Sequence, residues 1–410
     1  MRLRSRVVLP ATVTAALLLA RLAATPALSD PVAGAAPTSL HLEVPWLYLV
    51  FAPLFTLWDA VSMLSMSRLR GFLFGLSVLY LVWRLFGGKG PFSIIRELRA
   101  LAITLLLLSV FLAVGALWHR PMLALAGTQR DDLVVDFHSH TNLSHDVQVT
   151  LMRRFDAEAN RRWHARAGFD VAFITDHNRA AVAEPTSESS PTVLCPGIEV
   201  SAWRAHILLL GDTLAVDRRR YNTSFEALVS LLRTSDSAYG SMSVASLPEY
   251  RRNHWGWLGR LTGAGLDGFE IVNASPKANE ITRAERDTVI ALARAQNRFV
   301  VGVSDSHGWG ATSMVWNLVR APADSAAEDV CATVLSRLRT GFDAVRIIER
   351  HRLRPEAWWP LWLTPLGAVW EMWRSMGWPL ALSWLAWIWV VPALRPISLR
   401  SSSRRTKISR

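Results

Sequence analysis

Cysteine, tyrosine and charged side chains are scarce in this sequence. The chain of 410 residues has 2 cysteines, Cys195 and Cys331, which lie far apart. So few cysteines exclude a disulfide-rich scaffold and a cysteine-ligated metal site, and leave open at most one bridge. Charged residues make up 19% of the chain and hydrophobic residues 51%. At this length the chain can hold a full catalytic domain together with membrane segments.

The excess of basic charge lies mainly at the two ends. The formal net charge is +12, and Arg2, Arg4 and Arg6 together with the basic residues after Leu394 account for most of it. Basic ends that flank apolar helices favour a role in membrane orientation and in contact with anionic lipid. We therefore expect membrane lipid as a partner and no specific nucleic acid binding.

Apolar runs before the central region predict membrane segments. Residues 1–43 fit either a signal peptide or a first transmembrane segment. Asp59, an acid inside one of the later runs, is interpreted as a contact between helices. Residues 44–120 are predicted to hold transmembrane helices over Val44–Leu64, Gly71–Phe86 and Ala100–Trp118.

Apolar segments rich in tryptophan follow the central region. Many of the 19 tryptophans lie between Trp358 and Trp389, which suits a segment at the interface between a bilayer and water. Residues 355–394 are therefore predicted to form a C-terminal transmembrane hairpin or span. Residues 395–410 are basic and rich in serine, and we expect them to be disordered.

Residues 131–348 alternate short apolar strands with amphipathic helices, as a soluble domain does. This alternation predicts an α/β fold with a parallel sheet, and seven strands favour a barrel. The predicted strands are Leu133–Phe137, Val171–Thr175, Val193–Val200, His206–Gly211, Ser243–Leu247, Gly268–Val272 and Phe299–Val303. The predicted helices are Leu151–Ala167, Ser224–Arg233, Glu280–Gln296 and Glu328–Thr340.

Polar residues at the ends of these strands predict a metal site. The first strand leads into His138 and His140, whose side chains point to one face because strand side chains alternate. Neutral imidazole is a common metal ligand, so this pair can bind one ion. The later strands add Asp176, His177, Glu199, His206, Asp305 and His307.

These groups can converge, because the loops at the carboxyl ends of barrel strands lie together. Histidine and carboxylate without cysteine suit zinc, manganese or iron at a hydrolytic site. A central Glu199 could bridge two ions, which would then hold a hydroxide between them. The alternative is a set of polar loop residues with no shared ion, and five elements in register make it the weaker interpretation.

Five motifs resemble the PHP family, the polymerase and histidinol phosphatase superfamily of metal-dependent phosphoesterases. They are Asp-Phe-His-Ser-His-Thr, Ile-Thr-Asp-His-Asn, Gly-Ile-Glu-Val-Ser, Ala-His-Ile-Leu-Leu-Leu-Gly and Gly-Val-Ser-Asp-Ser-His-Gly, and they lie between Asp131 and Arg346. The resemblance implies a distorted seven-stranded (β/α) barrel with two or three metal ions. It implies that Glu199 is the bridging carboxylate and that the other ligands are His138, His140, His177, His206, Asp305 and His307.

The sequence departs from the family pattern at two places. A ligand expected shortly after the paired histidines is either His145 or Asp146, and Asp146 is preferred. Where the family carries a later histidine before proline, this chain has Leu247, which cannot bind a metal. His254 could substitute, although a position on a helix surface is the favoured interpretation for it. We therefore expect two bound ions rather than three.

The predicted activity is hydrolysis of a phosphomonoester or phosphodiester by a metal-bound hydroxide. Arg179 and Arg204 could bind the phosphate oxygens, and Asp176 or Asp305 could transfer a proton beside the catalytic Glu199. A phosphorylated small molecule, a nucleotide or a lipid head group would fit as substrate. The alternatives are an amide or carboxylic ester hydrolase on the same site, and a membrane-tethered metal-binding sensor or scaffold without catalysis.

The distribution of basic residues predicts a multi-pass protein of the cell membrane with residues 131–348 in the cytoplasm. The N-terminal arginines place the start of the chain inside, and four spans would return it to that side if Val7–Leu28 crosses the membrane. If that segment is a cleaved signal, three spans follow an external start and lead to the same side. The basic residues around the C-terminal apolar stretches agree. Lys89, Arg96 and Arg99, which this arrangement places outside, are the contrary signal.

Overall fold

A curled sheet of ten strands lies at the centre of the described part of the chain. The structure, a computed structural model, describes residues 2–86, 93–180, 191–211, 216–321 and 330–394, and gives only the backbone of residues 2–6. The strands are β1 (Leu28–Ser29), β2 (His41–Glu43), β3 (Ala124–Ala126), β4 (Asp132–Ser139), β5 (Val171–Ile174), β6 (Val193–Ala202), β7 (Ala205–Leu210), β8 (Met242–Ala245), β9 (Gly268–Asn273), β10 (Phe299–Val303), β11 (Val315–Arg320) and β12 (Arg346–Arg350). Their order in the large sheet is β1-β12-β11-β4-β5-β6-β7-β8-β9-β10, while β2 and β3 pair separately.

The large sheet is mixed rather than parallel throughout. Strands β4, β5 and β6 are parallel, as are β8, β9 and β10. Between these two sets, β7 runs antiparallel to both neighbours. The reason is local, because only Trp203 and Arg204 separate β6 from β7, and their φ angles are 37° and 62°. Positive φ at both residues is typical of a two-residue hairpin, which can join only antiparallel strands.

The sheet curls until the end of β4 meets the chain that follows β10. Ser139 and Ser306 form a single parallel bridge. On either side of it, the His140 amide donates to the Ser306 carbonyl and the Asp305 amide donates to the His138 carbonyl, both at 2.9 Å. The α/β class is therefore confirmed as a curled half-barrel, whereas a closed barrel of seven strands is not.

Strands β11 and β12, which the sequence analysis missed, extend the sheet beyond β4. Asn317 interrupts the apolar pattern of β11, yet it is fully buried and its side chain is satisfied by neighbouring backbone. It accepts from the Gly302 amide and donates to the Val135 carbonyl, both at 2.8 Å. Strand β12 begins with Arg346 and ends with Arg350. In the sequence, these arginines are more typical of a domain boundary than of a buried strand.

Amphipathic helices cover the sheet and begin where polar residues cap them. The side chain of Asp156 accepts from the Ala159 amide at 2.8 Å, so α7 starts later than the predicted Leu151. Thr282 and Glu285 form a capping box that starts α12. The helices around the sheet are α6 (His145–Gln148), α7 (Ala157–Ala167), α8 (Arg218–Tyr221), α9 (Phe225–Tyr239), α10 (Glu249–Asn253), α11 (Leu258–Gly263), α12 (Arg283–Ala295) and α13 (Val330–Leu338).

The predicted membrane segments form apolar helices at one side of the molecule. Two of them, α4 and α5, are long and apolar enough to cross a membrane. The apolar part of α1, Val7–Leu22, and α15 are shorter. The helices in this region are α1 (Arg2–Leu22), α2 (Trp46–Val50), α3 (Ala52–Ser62), α4 (Met66–Phe86), α5 (Ile94–Leu117), α14 (Thr364–Ser375) and α15 (Trp378–Ala393). The predicted tail, residues 395–410, lies outside the described residues.

The predicted span Val44–Leu64 is not one helix, and this prediction is corrected. The helical conformation is interrupted at Phe51, between α2 and α3, and a proline lies at the start of α3. Asp59 does not merely join two helices. Its carboxylate is buried in ion pairs with Arg120 and Arg350, each at 3.0 Å. Helix α3 therefore packs against the large sheet, which together with the helices that cover it is called the sheet domain below.

The two cysteines form the one bridge that the sequence left open. Cys195 in β6 and Cys331 in α13 are joined by a disulfide with a Cα–Cα distance of 5.6 Å. It ties an outer helix to the parallel part of the sheet.

Candidate metal centre

The strand ends bring the predicted ligands together at one end of the curled sheet. All eight lie in three overlapping groups whose possible ligand atoms are within 4.8 Å of one another. The groups are His138, His140 and Asp305; His140, Asp146, His177 and His307; and His177, Glu199 and His206. Since His140 and His177 belong to two groups each, the cluster is continuous and could hold several metal ions.

At the first group, carboxylate oxygens of Glu199 and Asp305 each lie near the same two histidine nitrogens, which are 2.9 Å apart. Glu199 Oε2 lies 3.2 Å from His138 Nε2 and 3.4 Å from His140 Nε2. Asp305 Oδ1 lies 3.5 Å and 3.3 Å from the same two nitrogens. A tetrahedral ion with bonds of about 2.1 Å separates its ligands by about 3.4 Å. These residues therefore fit a divalent transition metal ion.

Glu270, which the sequence analysis missed, orients His138. It lies in β9, is fully buried, and its Oε1 is 2.6 Å from His138 Nδ1. An ionised carboxylate can only accept, so His138 donates its Nδ1–H and turns the lone pair of Nε2 toward the cluster. Carboxylates behind metal-binding histidines commonly act in this way. The signal was a lone acid inside the apolar strand Gly-Phe-Glu-Ile-Val-Asn, because a buried charge needs a partner.

In the second group Asp146, rather than His145, lies among the other predicted ligands. Asp146 Oδ2 lies 2.7 Å from His307 Nε2 and 3.2 Å from His177 Nε2. His145 is exposed, and it belongs to none of the three groups. His307 donates Nδ1–H to the carbonyl of Asp305 at 2.8 Å, which leaves its Nε2 free to face Asp146.

In the third group, the two oxygens of Glu199 face different histidines. Oε1 lies 2.9 Å from His206 Nδ1, while Oε2 is 3.1 Å from His177 Nδ1. His177 Nδ1 is buried and makes no hydrogen bond, as expected of a nitrogen whose lone pair binds a cation. Glu249, a second residue missed by sequence reasoning, places Oε2 3.9 Å from His206 Nδ1 and could add a ligand here.

Buried charges control the protonation of the cluster. Burial lowers the pKa of His206, but the hydrogen bond and the charge of Glu199 outweigh it and raise the pKa to about 9. Burial together with the neighbouring charge of His307 lowers the pKa of His140 to about 4. Burial raises the pKa of Glu199, yet the adjacent imidazoles hold it well below its usual value. The carboxylate is therefore available as an anion to bind cations.

The remaining predicted residues lie outside these groups. Asp176 is buried behind His140 and accepts from the amide and hydroxyl of Thr141, at 2.7 Å and 2.6 Å. Arg179 and Arg204 are exposed. His254 is buried rather than on a surface, and its Nε2 lies 3.1 Å from the Trp203 carbonyl. It therefore does not replace the histidine lost at Leu247, which is itself buried in the core.

Comparison with known proteins gives only distant similarity. No protein family model matches the chain, and no curated protein matches it. PsfC from Pseudomonas syringae PB-5123 is 17% identical with a TM-score of 0.32, and the similarity covers 60% of this chain and 98% of PsfC. A Bifidobacterium adolescentis protein, named by inference as a metal-dependent phosphoesterase, is 16% identical with a TM-score of 0.32, over 51% of this chain and 96% of its own. Similarity at this level does not assign an activity.

Proposed function

We propose that this chain is a membrane-anchored, metal-dependent phosphoesterase of the PHP type. The observation that carries the proposal is the position of Glu199, whose two oxygens face different histidines. Oε2 lies 3.2 Å from His138 Nε2 and Oε1 lies 2.9 Å from His206 Nδ1. A carboxylate placed in this way can bind two cations a few ångströms apart. Paired ions suit in-line displacement at phosphorus, in a phosphomonoester or a phosphodiester.

The protein groups have separate tasks in this reaction. When bound, two divalent ions of manganese, zinc or iron would activate water and neutralise charge on the phosphate oxygens. Glu199 would set the separation of the ions, and Glu270 would keep His138 in the tautomer that binds metal. Asp305, which lies beside both histidines of the first group, is favoured over Asp176 for proton transfer because Thr141 occupies both oxygens of Asp176.

Two other activities use the same metal chemistry. An amide or carboxylic ester could be hydrolysed on the same cluster, and a metal sensor would bind ions without turnover. Neither is favoured by a specific contact among the described residues. The exposed Arg179 and Arg204 remain candidates for holding phosphate oxygens.

The test is a substrate panel on the purified full-length protein in detergent. Turnover of a phosphomonoester, a phosphodiester, an aryl ester and an amide is measured with added manganese and after chelation. We expect phosphoester hydrolysis that manganese restores, and its loss in Glu199→Gln. The exposed Glu226 provides a matched control, because Glu226→Gln removes the same charge away from the cluster. Preference for the aryl ester or the amide would reject the phosphoesterase assignment.

A further inference from the structure

Exposed apolar side chains surround the loop that carries Asp146. Leu143, Val149 and Leu151 are 45%, 84% and 78% exposed, in the segment between β4 and α7. Soluble surfaces tolerate single exposed apolar residues, but a group on one loop indicates a contact surface. Arg153 and Arg154, which follow directly, are exposed as well. Apolar side chains beside basic ones are typical of segments that enter an anionic lipid interface.

This loop is connected through its neighbours to the end of the apolar helix α5. Met152 packs against Gly308, where an added Cβ would come within 2.5 Å of Met152 Cγ. Two residues later, a Cβ at Gly310 would lie 3.1 Å from Ala116 Cα in the last turn of α5. Between them, the ring of Trp309 stacks on that of His119 with centroids 4.2 Å apart.

The metal cluster is therefore close to the point at which α5 would leave a bilayer. Gly310 follows His307 by three residues, which can span at most about 11 Å. Since α5 ends at Leu117, His307 lies a short distance from a membrane that contains this helix.

We propose that the metal centre opens at the membrane surface, with Leu143, Val149 and Leu151 inserted in the lipid interface. This inference rests on the proposed function and narrows its substrate to a phosphoester with a lipid anchor, whose apolar part stays in the bilayer. The bilayer is the partner of the apolar loop, and the neighbouring Arg153 and Arg154 attract the anionic head groups.

The test compares a phospholipid in vesicles with its short-chain, water-soluble analogue. The variant Leu143→Ser/Val149→Ser/Leu151→Ser in the full-length protein should lower the ratio of vesicle to soluble turnover by at least about tenfold. Thr223→Ser, an exposed loop change before α9, is the control. An unchanged ratio would reject the membrane-facing site while leaving phosphoester hydrolysis intact.

A second readout does not depend on turnover. The protein has no free cysteine among its described residues, so Leu151→Cys introduces a single site for a fluorescent label. In nanodiscs, lipid-borne quenchers should quench a label at this site strongly, and one at Thr223→Cys weakly. Equal quenching at both sites would overturn the inference even if no substrate is hydrolysed, and absence of all turnover would reject only the proposed function.

The directions of the apolar helices bear on the side of the membrane at which the sheet domain lies. Helix α4 starts beside this domain, where the Met66 amide donates to the Pro276 carbonyl at 2.8 Å. Helix α5 returns to it at Ala116. The opposite ends of both helices therefore lie on the far side of a membrane that α4 and α5 cross.

Helices α1 and α15 extend away from the sheet domain in the same direction as α4 and α5. Arg21, near the end of α1, donates to the Arg374 carbonyl at 2.6 Å and lies over the ring of Trp378 at the start of α15. Trp389 near the end of α15 donates to Thr14 at 3.2 Å. The two helices are thus antiparallel, and the start of α1 and the end of α15 lie together, away from the domain.

The ends that point away from the domain hold most of the basic residues near the helices. Among the described residues they are Arg2, Arg4, Arg6, Arg84, Arg96 and Arg99. In the sequence, Lys89 lies between α4 and α5, and Arg395, Arg400, Arg404, Arg405, Lys407 and Arg410 follow α15. The domain side holds fewer: Arg21, Arg68, Arg70, Arg120 and Arg374. Ion pairs occur on both sides, Arg120 with Asp59 and Arg374 with Glu371 on the domain side, and Arg84 and Arg96 with Glu97 on the far side. Basic residues near span ends favour the cytoplasm.

We infer that the sheet domain lies on the outer face of the cytoplasmic membrane. The disulfide between Cys195 and Cys331 supports this independently, since such bonds persist mainly outside the cytoplasm. The sequence predicted the opposite side because it counted Val44–Leu64 as a span. Without that crossing, α4, α5 and the shorter apolar helix α1 precede the domain. If α1 crosses together with α4 and α5, the number of crossings is odd, and the same charge rule places the domain outside.

Thiol labelling in bacterial spheroplasts tests this orientation. A membrane-impermeant maleimide should label Thr223→Cys in intact spheroplasts, and Ser402→Cys only after lysis. The native cysteines should react only after reduction, because they are bonded to each other. Labelling of Ser402→Cys but not Thr223→Cys in intact cells would overturn the inference, as would two free native thiols.

Discussion

Two clusters of buried carboxylates in this protein have different partners. Glu349 is surrounded by arginines, with Arg286 at 2.9 Å and Arg352 at 3.0 Å. Glu199 has histidines around it instead, and one of the facing nitrogens makes no hydrogen bond. Arginine keeps its proton under all ordinary conditions, so the first cluster is complete without any other ion. Histidine can be neutral with a free lone pair, so the second cluster can accept metal ions.

The arginine cluster around Glu349 has a structural role, whereas the histidine cluster around Glu199 is the proposed catalytic site. The arginine cluster joins β12 to α12 and to the segment after the strand, and the pKa of Glu349 is held low by its three cationic neighbours despite its burial. The histidine cluster joins strand ends that the backbone already holds in place. Removing the carboxylate of Glu349 should therefore lower stability, whereas removing that of Glu199 should lower turnover and change stability little.

The largest effect is expected at Glu199, the proposed bridging carboxylate. Glu199→Gln should lower turnover by about a thousandfold or more, because an amide cannot hold two cations close together. His138→Ala should also abolish hydrolysis. Bound metal is measured by elemental analysis and folding by thermal unfolding, which should change little. Wild-type turnover in both variants would refute the catalytic role of the cluster.

A large effect on stability, rather than activity, is expected in the arginine cluster. Glu349→Ala leaves buried arginines without an anion, and should lower the free energy of unfolding by about 3–5 kcal/mol. Denaturant unfolding of the detergent-solubilised protein measures this. Metal content per folded molecule should stay at the wild-type level, as in the control Glu226→Gln. If Glu349→Ala loses metal instead, the two clusters are not separate.

A smaller effect is expected behind the metal site. Glu270→Gln keeps an acceptor for His138 Nδ1–H but removes the charge, and should weaken metal affinity by about 10–100-fold. A manganese titration of turnover should shift to higher concentration, with the maximal rate largely recovered at saturation. A reduced maximal rate with no shift in the titration would show that Glu270 does not act through the metal.

The smallest effect concerns the number of ions. With Leu247 in place of a ligand, the wild type should bind about two ions, and Leu247→His should add one. Elemental analysis of both proteins decides this. Three tightly bound ions in the wild type would contradict the prediction and indicate Glu249, which lies beside His206, as the additional ligand.

Most of the candidate site could be predicted from the sequence because its ligands follow local rules. Alternation at a strand end brings His138 and His140 to one face, whatever the rest of the fold does. Asp305 and His307 also lie two residues apart, but they follow the end of β10 and Asp305 has a φ of 46°, so strand alternation does not explain their placement. Their role in binding metal stays a prediction, but their convergence depended only on strands ending at one edge of a sheet, which the parallel parts of the structure provide.

Glu270 and the strand β11 show what local patterns could not reveal. An acid in an apolar strand is destabilising unless a partner reaches it, and that partner, His138, lies far away in sequence. Asn317 breaks the apolar pattern of β11 because its side chain bonds to the backbone of two other strands. In both cases a polar residue is compatible with burial only through contacts made by the folded chain.

The same distinction applies to the membrane part. Hydrophobicity alone identified the apolar segments, since transfer out of water depends on the composition of each segment. Whether a segment crosses a bilayer depends on its packing. Val44–Leu64 is apolar, yet Asp59 in it pairs with Arg120 and Arg350. Met63 packs in the core of the sheet, and its carbonyl accepts from Asn279. Such tertiary contacts hold the segment beside the sheet.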